Sequence, residues 1–308
     1  MSLQWRRMQR FTVRVPGTTS NLGPGFDALG LAVRIYNEIV IESAEQFALA
    51  IEGEGASSLP RDRSNVMIAA FEKGCSAIGI EPPTMRWTCK HAIPTARGLG
   101  SSASAIVAGL MAADAVGNGA LGRDRVLALT TEIEGHPDNA APAVFGGLQS
   151  SVLANGRVLR VTVPTTNLPK MSLFIPDFEL ATRDARAVLP ASITRGEAVH
   201  NISRTALLVA ALAAGDTSVL DEATHDVLHQ PARTKLFPSM PMIFAAARAA
   251  GSTGVWLSGA GSTLAAFASN DRAIAVAEAM KRTAGEHGVS GRALVAEVDR
   301  DGAVWSRS

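Results

Sequence analysis

At 308 residues the chain exceeds the ~250–300 at which one hydrophobic core stops growing, so two domains are expected. Hydrophobic residues make up 47% and charged residues 19%, a balance that argues against a disordered or membrane-embedded chain, and a formal net charge of +1 removes any bulk attraction to nucleic acid or anionic lipid. Two cysteines, Cys75 and Cys89, are too few for a disulfide framework and read as buried free thiols. Met1–Met8 carries positive charge with no apolar segment behind it, and no window approaches the ~18 apolar residues of a membrane span. The expectation is a cytoplasmic protein with neither membrane nor nucleic-acid partner.

Thr12–Val15 alternates like a strand and leads into a Gly/Pro/Thr/Asn-rich loop over Pro16–Gly25. Ala32–Glu42 predicts a second strand, and Val66, Ala69, Ala70 and Cys75 at helical spacing predict a helix over Asn65–Ile78. Met85–Lys90 reads as a strand, after which the loop Gly98–Ser102 opens a long apolar helix to about Ala115. Val126, Leu129 and Ile133 share one face of a helix over Arg123–Glu134, which ends where Pro137 forces the preceding residue out of helical geometry. Leu148–Val163 reads as a hairpin turned at Asn155-Gly156. The prolines, Thr pair and Asn of Val163–Lys170 mark a domain boundary, giving domains over residues 1–166 and 167–308. Beyond it follow a strand Met171–Ile175, a polar arginine-bearing loop, and helices at His200–Ala214, Thr217–Leu228 and Pro241–Ala250. A strand–glycine loop–strand unit over Gly254–Ala268, a helix Asp271–Gly285 and a last strand Arg292–Val298 complete the chain. Strands and helices alternate without a regular βα repeat, so the class is α+β.

Five segments carry chemistry. Pro94-Thr95-Ala96-Arg97-Gly98-Leu99-Gly100-Ser101-Ser102-Ala103-Ser104 sets glycines and hydroxyls where a helix begins. The first amides of a helix lack internal partners and carry about half a positive charge, so such a turn holds phosphate without a basic patch. It lacks the Walker lysine, and Pro94 separates it from any strand that would make it a dinucleotide-binding turn; a glycine loop capping a buried helix is the plain structural alternative. Asn21 and Asp27 are the strong polar pair of the loop Pro16–Gly30, which as a lone feature reads equally as a rigid turn.

Glu132-Ile133-Glu134-Gly135-His136-Pro137-Asp138-Asn139 places two carboxylates at a helix C-terminus, where the dipole disfavours them and a cation such as magnesium would compensate. His136, Asp138 and Asn139 offer a base and hydroxyl-orienting groups, with a structural turn as the rival. Ser258-Gly259-Ala260-Gly261-Ser262 is a second glycine loop, and two such loops half a protein apart suggest one phosphate-bearing ligand held between domains. Arg183, Arg186 and Arg233 lie in polar loops; arginine suits bidentate carboxylate binding, although surface arginines are mostly solvated. His225 and His229 stand at i and i+4 as in zinc helices, but with neither the glutamate of His-Glu-x-x-His nor a third ligand, so metal is not expected there.

Together, PGTTSNLGPGFDALGLAV, PTARGLGSSASA, EGHPDNAAPAVFGG and SGAGS resemble, in order and spacing, the motifs of the GHMP kinases, over about Phe11–Val298. NLGPGFD, EGHPDNAAPA and LHQPAR resemble in particular the homoserine kinases. The resemblance implies a ribosomal protein S5 domain 2-like N-terminal domain and a ferredoxin-like C-terminal domain, and transfer of the γ-phosphate of ATP to the side-chain hydroxyl of L-homoserine, a step of threonine biosynthesis. It implies ATP phosphates on Gly98–Ser104 and the flanking Pro94–Arg97, with Gly259 and Gly261 of the second loop. Magnesium would sit at Ser102 and Glu132, with Glu134 as the alternative, and adenine near Asn65.

For the acceptor, the resemblance implies Asp27 on the ammonium, Arg186 and Arg233 on the carboxylate, and Asn21, His136, Asn139 and Thr182 completing the pocket. The hydroxyl would lie toward Asn139, with Asp138 acting through its neighbours rather than as an obligatory base, because a loose phosphoryl-transfer transition state needs positioning and charge neutralisation above all. Ser20, Ser262 and Ala232 depart from the family's usual alanine, proline and aromatic, and Ala232 trims the wall on the acceptor side. The resemblance leaves room for a homodimer. A threonine or mevalonate kinase is the nearest alternative, and a nucleotide-binding dehydrogenase or a non-catalytic sensor the alternative of another class.

Overall fold

The structure, a computed structural model, describes residues 9–307; the Met1–Met8 segment read above for a leader lies outside the described residues. The first half contains β1 (Arg10–Ser20), β2 (Leu29–Ser43), β3 (Ala48–Gly53), α1 (Val66–Ala77), β4 (Met85–His91), α2 (Ser101–Val116), α3 (Arg123–Glu134), α4 (Ala140–Phe145), β5 (Leu148–Ala154) and β6 (Arg157–Val163). The second contains β7 (Lys170–Pro176), α5 (Thr182–Ala187), α6 (Arg195–Ala214), α7 (Leu220–Ala223), α8 (Gln230–Arg233), α9 (Met240–Ala249), β8 (Gly254–Leu257), β9 (Leu264–Ala268), α10 (Ala273–Glu286), β10 (Gly291–Ala296) and β11 (Val304–Arg307).

Two sheets organise these elements. The first runs β11-β1-β2-β4-β3, with the β5–β6 hairpin branching from the start of β2. The branch exists because β2 is long: Asn37–Ser43 pairs with β4 while Leu29–Leu31 pairs with β5. The second sheet, β10-β7-β9-β8, is antiparallel throughout. β6 ends at Val163 and β7 begins at Lys170, so the proline-rich connection lies between the sheets. The last strand, β11, nevertheless returns to β1 in the first sheet.

Several elements differ from the sequence expectation. β1 continues past Val15 to Ser20 because a register shift at Pro16/Gly17 absorbs the proline, which has no N–H for the ladder, and Gly17–Ser20 then pairs with Gly30–Val33. β3 was not expected; it pairs parallel to β4, and with six residues of which only Leu49 and Ile51 are buried its signal was weak. The arginine-bearing loop after β7 holds the short helix α5, and the helix expected over Thr217–Leu228 is only α7, with α8 starting beyond it at Gln230 and carrying Pro231 in its first turn.

The core forms three packed groups. Phe11, Ile39, Ile41 and Trp87 of the first sheet pack on Phe71, Leu110 and Val126 from α1, α2 and α3. Leu31, Leu99, Leu148, Leu173, Trp256 and Phe267 form a second group that joins the two sheets, so the halves share apolar contacts rather than hinge freely. Phe174, Ile243, Val276 and Met280 fill a third under α9 and α10. β7, β8 and β9 are therefore buried on both faces, and they read as continuous apolar runs. Cys75 and Cys89 are free and buried, and burial pushes both thiols up to about 12. No helix of the described residues is long and apolar enough to cross a membrane.

Candidate active site

A cleft of about 230 Å³ opens between the sheets, where the β1–β2 loop, the start of α2, the turn after α3, α5, α8 and the β8–β9 loop converge. One wall is the N-terminus of α2. Gly100, its cap, has φ +68° and offers no side chain, so Ser101, Ser102 and Ala103 line the cleft with the uncapped amides of a 16-residue helix behind them. Glycine is required at Gly100 and Gly98: a Cβ on Gly100 would lie 2.0 Å from Thr18 Oγ1, and one on Gly98 2.1 Å from the Ser258 carbonyl.

Other members of that segment point elsewhere. Leu99 is in the core, and Ser104 is fully buried. Arg97 spans to the second sheet, with Nε donating to Pro176 O at 2.9 Å and Nη2 to Asp177 O at 2.6 Å, while Thr95 Oγ1 donates to Glu179. Neither these side chains nor Pro94 line the cleft, whereas Ala96 does. The second glycine loop packs on the first: Gly259 N donates to Ser20 O and Gly261 N to Ser258 O, while Ser258 Oγ donates to Gly98 O at 2.6 Å. Gly259 and Gly261 still line the cleft, with their own N–H groups committed within the protein.

The two glutamates at the end of α3 diverge. Glu132 pairs with Lys73 of α1 at 3.0 Å and lies outside the cleft; Glu134 lines it and accepts a hydrogen bond from Ser102 Oγ. Of the two carboxylates the sequence offered, Glu132 does not reach the cleft and Glu134 does. Ser102 and Glu134 present one neutral and one anionic oxygen, which fits magnesium, a hard ion that keeps most of its coordination for water and phosphate oxygens. Among the described residues no group of three or more His, Cys, Asp or Glu side chains forms a metal cage. Asn65 lies outside this cleft, at the start of α1, where its amide accepts from Met67 N and donates to Pro60 O.

The turn after α3 supplies a polar network. Asp138 is buried, and its Oδ1 meets His136 Nδ1 at 2.6 Å and accepts from Asn139 N at 3.0 Å. Asn139 is held from both sides, accepting from Thr18 Oγ1 at 2.7 Å and donating to Ser20 Oγ at 3.1 Å. The hydrogen bond to Asp138 raises the His136 pKa against the opposing effect of burial. Burial disfavours the Asp138 carboxylate, yet its bonds to His136, Ser20 and Asn139 outweigh this and hold it below the usual range.

The signs of these shifts set the pH window of the pair. A raised histidine value contributes stability that is fully present below about 6.5 and lost as pH rises through the folded value. A depressed aspartate value contributes stability present above about 3.9 and lost as pH falls through its folded value. Between the two, Asp138→Asn should remove the pairing and return the His136 pKa toward about 6.5, read from the ring NMR shifts across a pH titration. An unchanged His136 midpoint in that variant would show that the pairing does not govern it.

Opposite this network sits a cluster of charge. Arg186 of α5 makes a bidentate pair with Asp27, Nη1 to Oδ2 at 3.0 Å and Nη2 to Oδ1 at 2.7 Å. Thr182, the first residue of α5, lines the cleft, as does Asn21, whose Nδ2 donates to Gly259 O at 3.0 Å. Arg233 of α8 is 2% exposed, with Nε donating to Ala185 O and Nη1 to His229 Nδ1 and Gly259 O, and among the described residues it has no carboxylate partner within salt-bridge range and no hydrogen-bond partner for Nη2. Burial, with Arg186 beside it, lowers its pKa to about 10, so it remains charged at neutral pH. An unpaired buried cation bordering a cleft marks where an anionic group of a ligand belongs.

Phe26, Leu180 and Ala260 also line the cleft, and none was singled out in the sequence, where an apolar residue in a loop carries no chemical signal.

Residues 65–147 match the GHMP kinases N terminal domain and residues 208–287 the GHMP kinases C terminal model. A homoserine kinase of Desulfitobacterium hafniense is 42% identical over 291 residues, 94% of this chain and 98% of its own. The chain belongs to the homoserine kinase family of GHMP kinases. A homoserine kinase of Moorella thermoacetica is 43% identical over 257 residues, 83% of this chain and 86% of the relative. The crystal structure of the homoserine kinase from Cytophaga hutchinsonii superposes with a TM-score of 0.88 at 27% identity, covering 99% of this chain and 100% of that one. The mevalonate kinase of L. major, at 16% identity and a TM-score of 0.73, shares the fold.

Proposed function

We propose that the protein transfers the γ-phosphoryl group of ATP to the side-chain hydroxyl of L-homoserine, forming O-phospho-L-homoserine and ADP. The observation that carries this reading is the buried, unpaired Arg233 set across one small cleft from the uncapped start of α2. One end suits a carboxylate and the other a phosphate, and Asp27 beside Arg186 supplies the negative charge an ammonium needs.

In this reading the nucleotide's phosphates meet the amides of Ser101–Ala103. Magnesium on Ser102 and Glu134 would offset the charge of the phosphate oxygens. The acceptor's carboxylate takes Nη2 of Arg233 and one edge of Arg186, and its ammonium takes Asp27. Its hydroxyl reaches toward Asn139, whose amide Thr18 and Ser20 hold still. The carboxylate of Asp138 is already engaged by His136 and the Asn139 amide, so its part is to orient those groups. The hydroxyl proton then leaves late, to an oxygen of the transferred phosphoryl group, as a loose transition state permits. Because Asp27 and Arg186 pair with each other without ligand, an acceptor enters by exchanging one ion pair for two, which favours a zwitterion over mevalonate, an acid without an ammonium.

ADP release with ATP and magnesium, measured across L-homoserine, L-threonine, L-serine and mevalonate, tests this. The expected result is a kcat/KM for L-homoserine at least about tenfold above each of the others, since lost or misplaced polar contacts discriminate strongly. Equal turnover on all four would leave a GHMP kinase of another specificity.

A further inference from the structure

His229 remains outside the chemistry described so far. It is fully buried, and both of its ring nitrogens are used: Nε2 meets the Gly23 carbonyl at 2.8 Å and Nδ1 meets Arg233 Nη1 at 2.9 Å. A carbonyl can only accept and a guanidinium can only donate, so the proton lies on Nε2 and Nδ1 is bare. Burial pushes the imidazole down to about 4, consistent with a ring that stays neutral. Its backbone is fixed as well, because the buried Asp226 carboxylate accepts from the amides of Leu228, His229 and Gln230. The ring stacks on Phe26, with centroids 5.1 Å apart and planes 28° apart, and Phe26 in turn lies under the guanidinium carbons of Arg186 at 5.4 Å and Arg233 at 5.6 Å.

We propose that His229 is a positioning residue for the acceptor's carboxylate: in its Nε2–H form it ties the Gly23 loop to Arg233 and leaves Nη2 as the one uncommitted nitrogen of that guanidinium. The inference rests on the amino-acid reading of the cleft given above. It also gives the i, i+4 histidine pair a purpose other than metal, since His225 faces Arg248 at 3.2 Å while His229 faces the cleft wall.

Three substitutions separate the two functions of the ring. His229→Asn keeps an acceptor near the Nδ1 position, His229→Gln keeps a donor near Nε2, and His229→Leu keeps neither. In the full-length protein, the expected order of KM for L-homoserine is parent, Asn, Gln, Leu, with Leu raised roughly 30-fold or more, the range seen when a buried charged group loses its partner. The KM for ATP should stay within about twofold throughout. A second readout is the preference for L-homoserine over L-homoserinamide, which lacks the carboxylate charge. That kcat/KM ratio should fall at least about tenfold in His229→Leu and persist in His229→Asn, because only a carboxylate needs Arg233 held in place.

If His229→Leu does not fold, the Asn and Gln variants decide: a Gln variant equal to or better than Asn in homoserine KM overturns the proposal. So does an unchanged carboxylate preference in His229→Leu, or equal rises in both KM values with a lowered Tm, which would make the residue merely structural. Failure of the amino-acid reading itself shows in the unsubstituted protein, as absent homoserine turnover.

Discussion

An Arg233→Met protein binds L-homoserine at least about 30-fold more weakly than the parent, with the KM for ATP within about twofold, whereas Arg186→Met weakens it only about tenfold. The asymmetry follows from what each arginine does before ligand arrives. Arg233 is buried without a carboxylate partner, so an incoming carboxylate adds a charge-assisted bond and breaks none. Arg186 already holds the Asp27 carboxylate in two bonds, and the ligand must replace these, so its net gain is smaller. Arg186 and Asp27 are also 37% and 35% exposed in their side chains, which screens the pair further. Steady-state kinetics with L-homoserine and ATP varied separately, and a Tm for each variant, check this. Equal losses at both positions would show that the Asp27 pair does not compete with the ligand. Arg233 also donates to Ala185 O and Gly259 O, so a modest fall in Tm, about 1–3 kcal/mol in stability, accompanies its loss.

Replacing Glu134 with glutamine lowers kcat by roughly 100-fold or more, the effect of removing one charge-stabilising group from a transfer site, while Glu132→Gln leaves kcat within about twofold. Glu134 lines the cleft and contacts Ser102 Oγ, whereas Glu132 faces Lys73 on the outer side of α3 with its side chain 64% exposed. An exposed ion pair of that kind contributes ~0–1 kcal/mol, so Glu132→Gln should also leave Tm nearly unchanged. The magnesium dependence of the rate provides a second measurement: Glu134→Gln should need a higher magnesium concentration for half-maximal activity, and Glu132→Gln should not. A large kcat loss in Glu132→Gln would place the ion at the other carboxylate.

The glutamates show where one-dimensional reading stops. Two positions along a helix are separated by about 200° around its axis, so Glu132 and Glu134 point in nearly opposite directions. Which of them faces a site depends on which side of α3 is covered, and that is settled by Val126, Leu127 and Leu129 packing into the core beside α2. Asn65 shows what a local pattern does give: a polar residue directly before an apolar helical run caps α1. The commitment of the Gly259 amide could not be read either, because it arises from the approach of Ser20, which is distant in the chain from the β8–β9 loop.

By itself the sequence determined what depends on local pattern. The glycine-led start of α2, the turn at Gly135-His136-Pro137, the connection between the two sheets and the α+β character all follow from backbone preferences and apolar periodicity within short windows. Tertiary structure decided what depends on partners distant in the chain: the bidentate meeting of Asp27 with Arg186, the burial of Arg233 against His229, the return of β11 to β1 and the choice between two glutamates. Charge and hydrogen-bonding capacity are properties of a residue. Whether a charge is paired, exposed or left open for a ligand is a property of the surface folded around it.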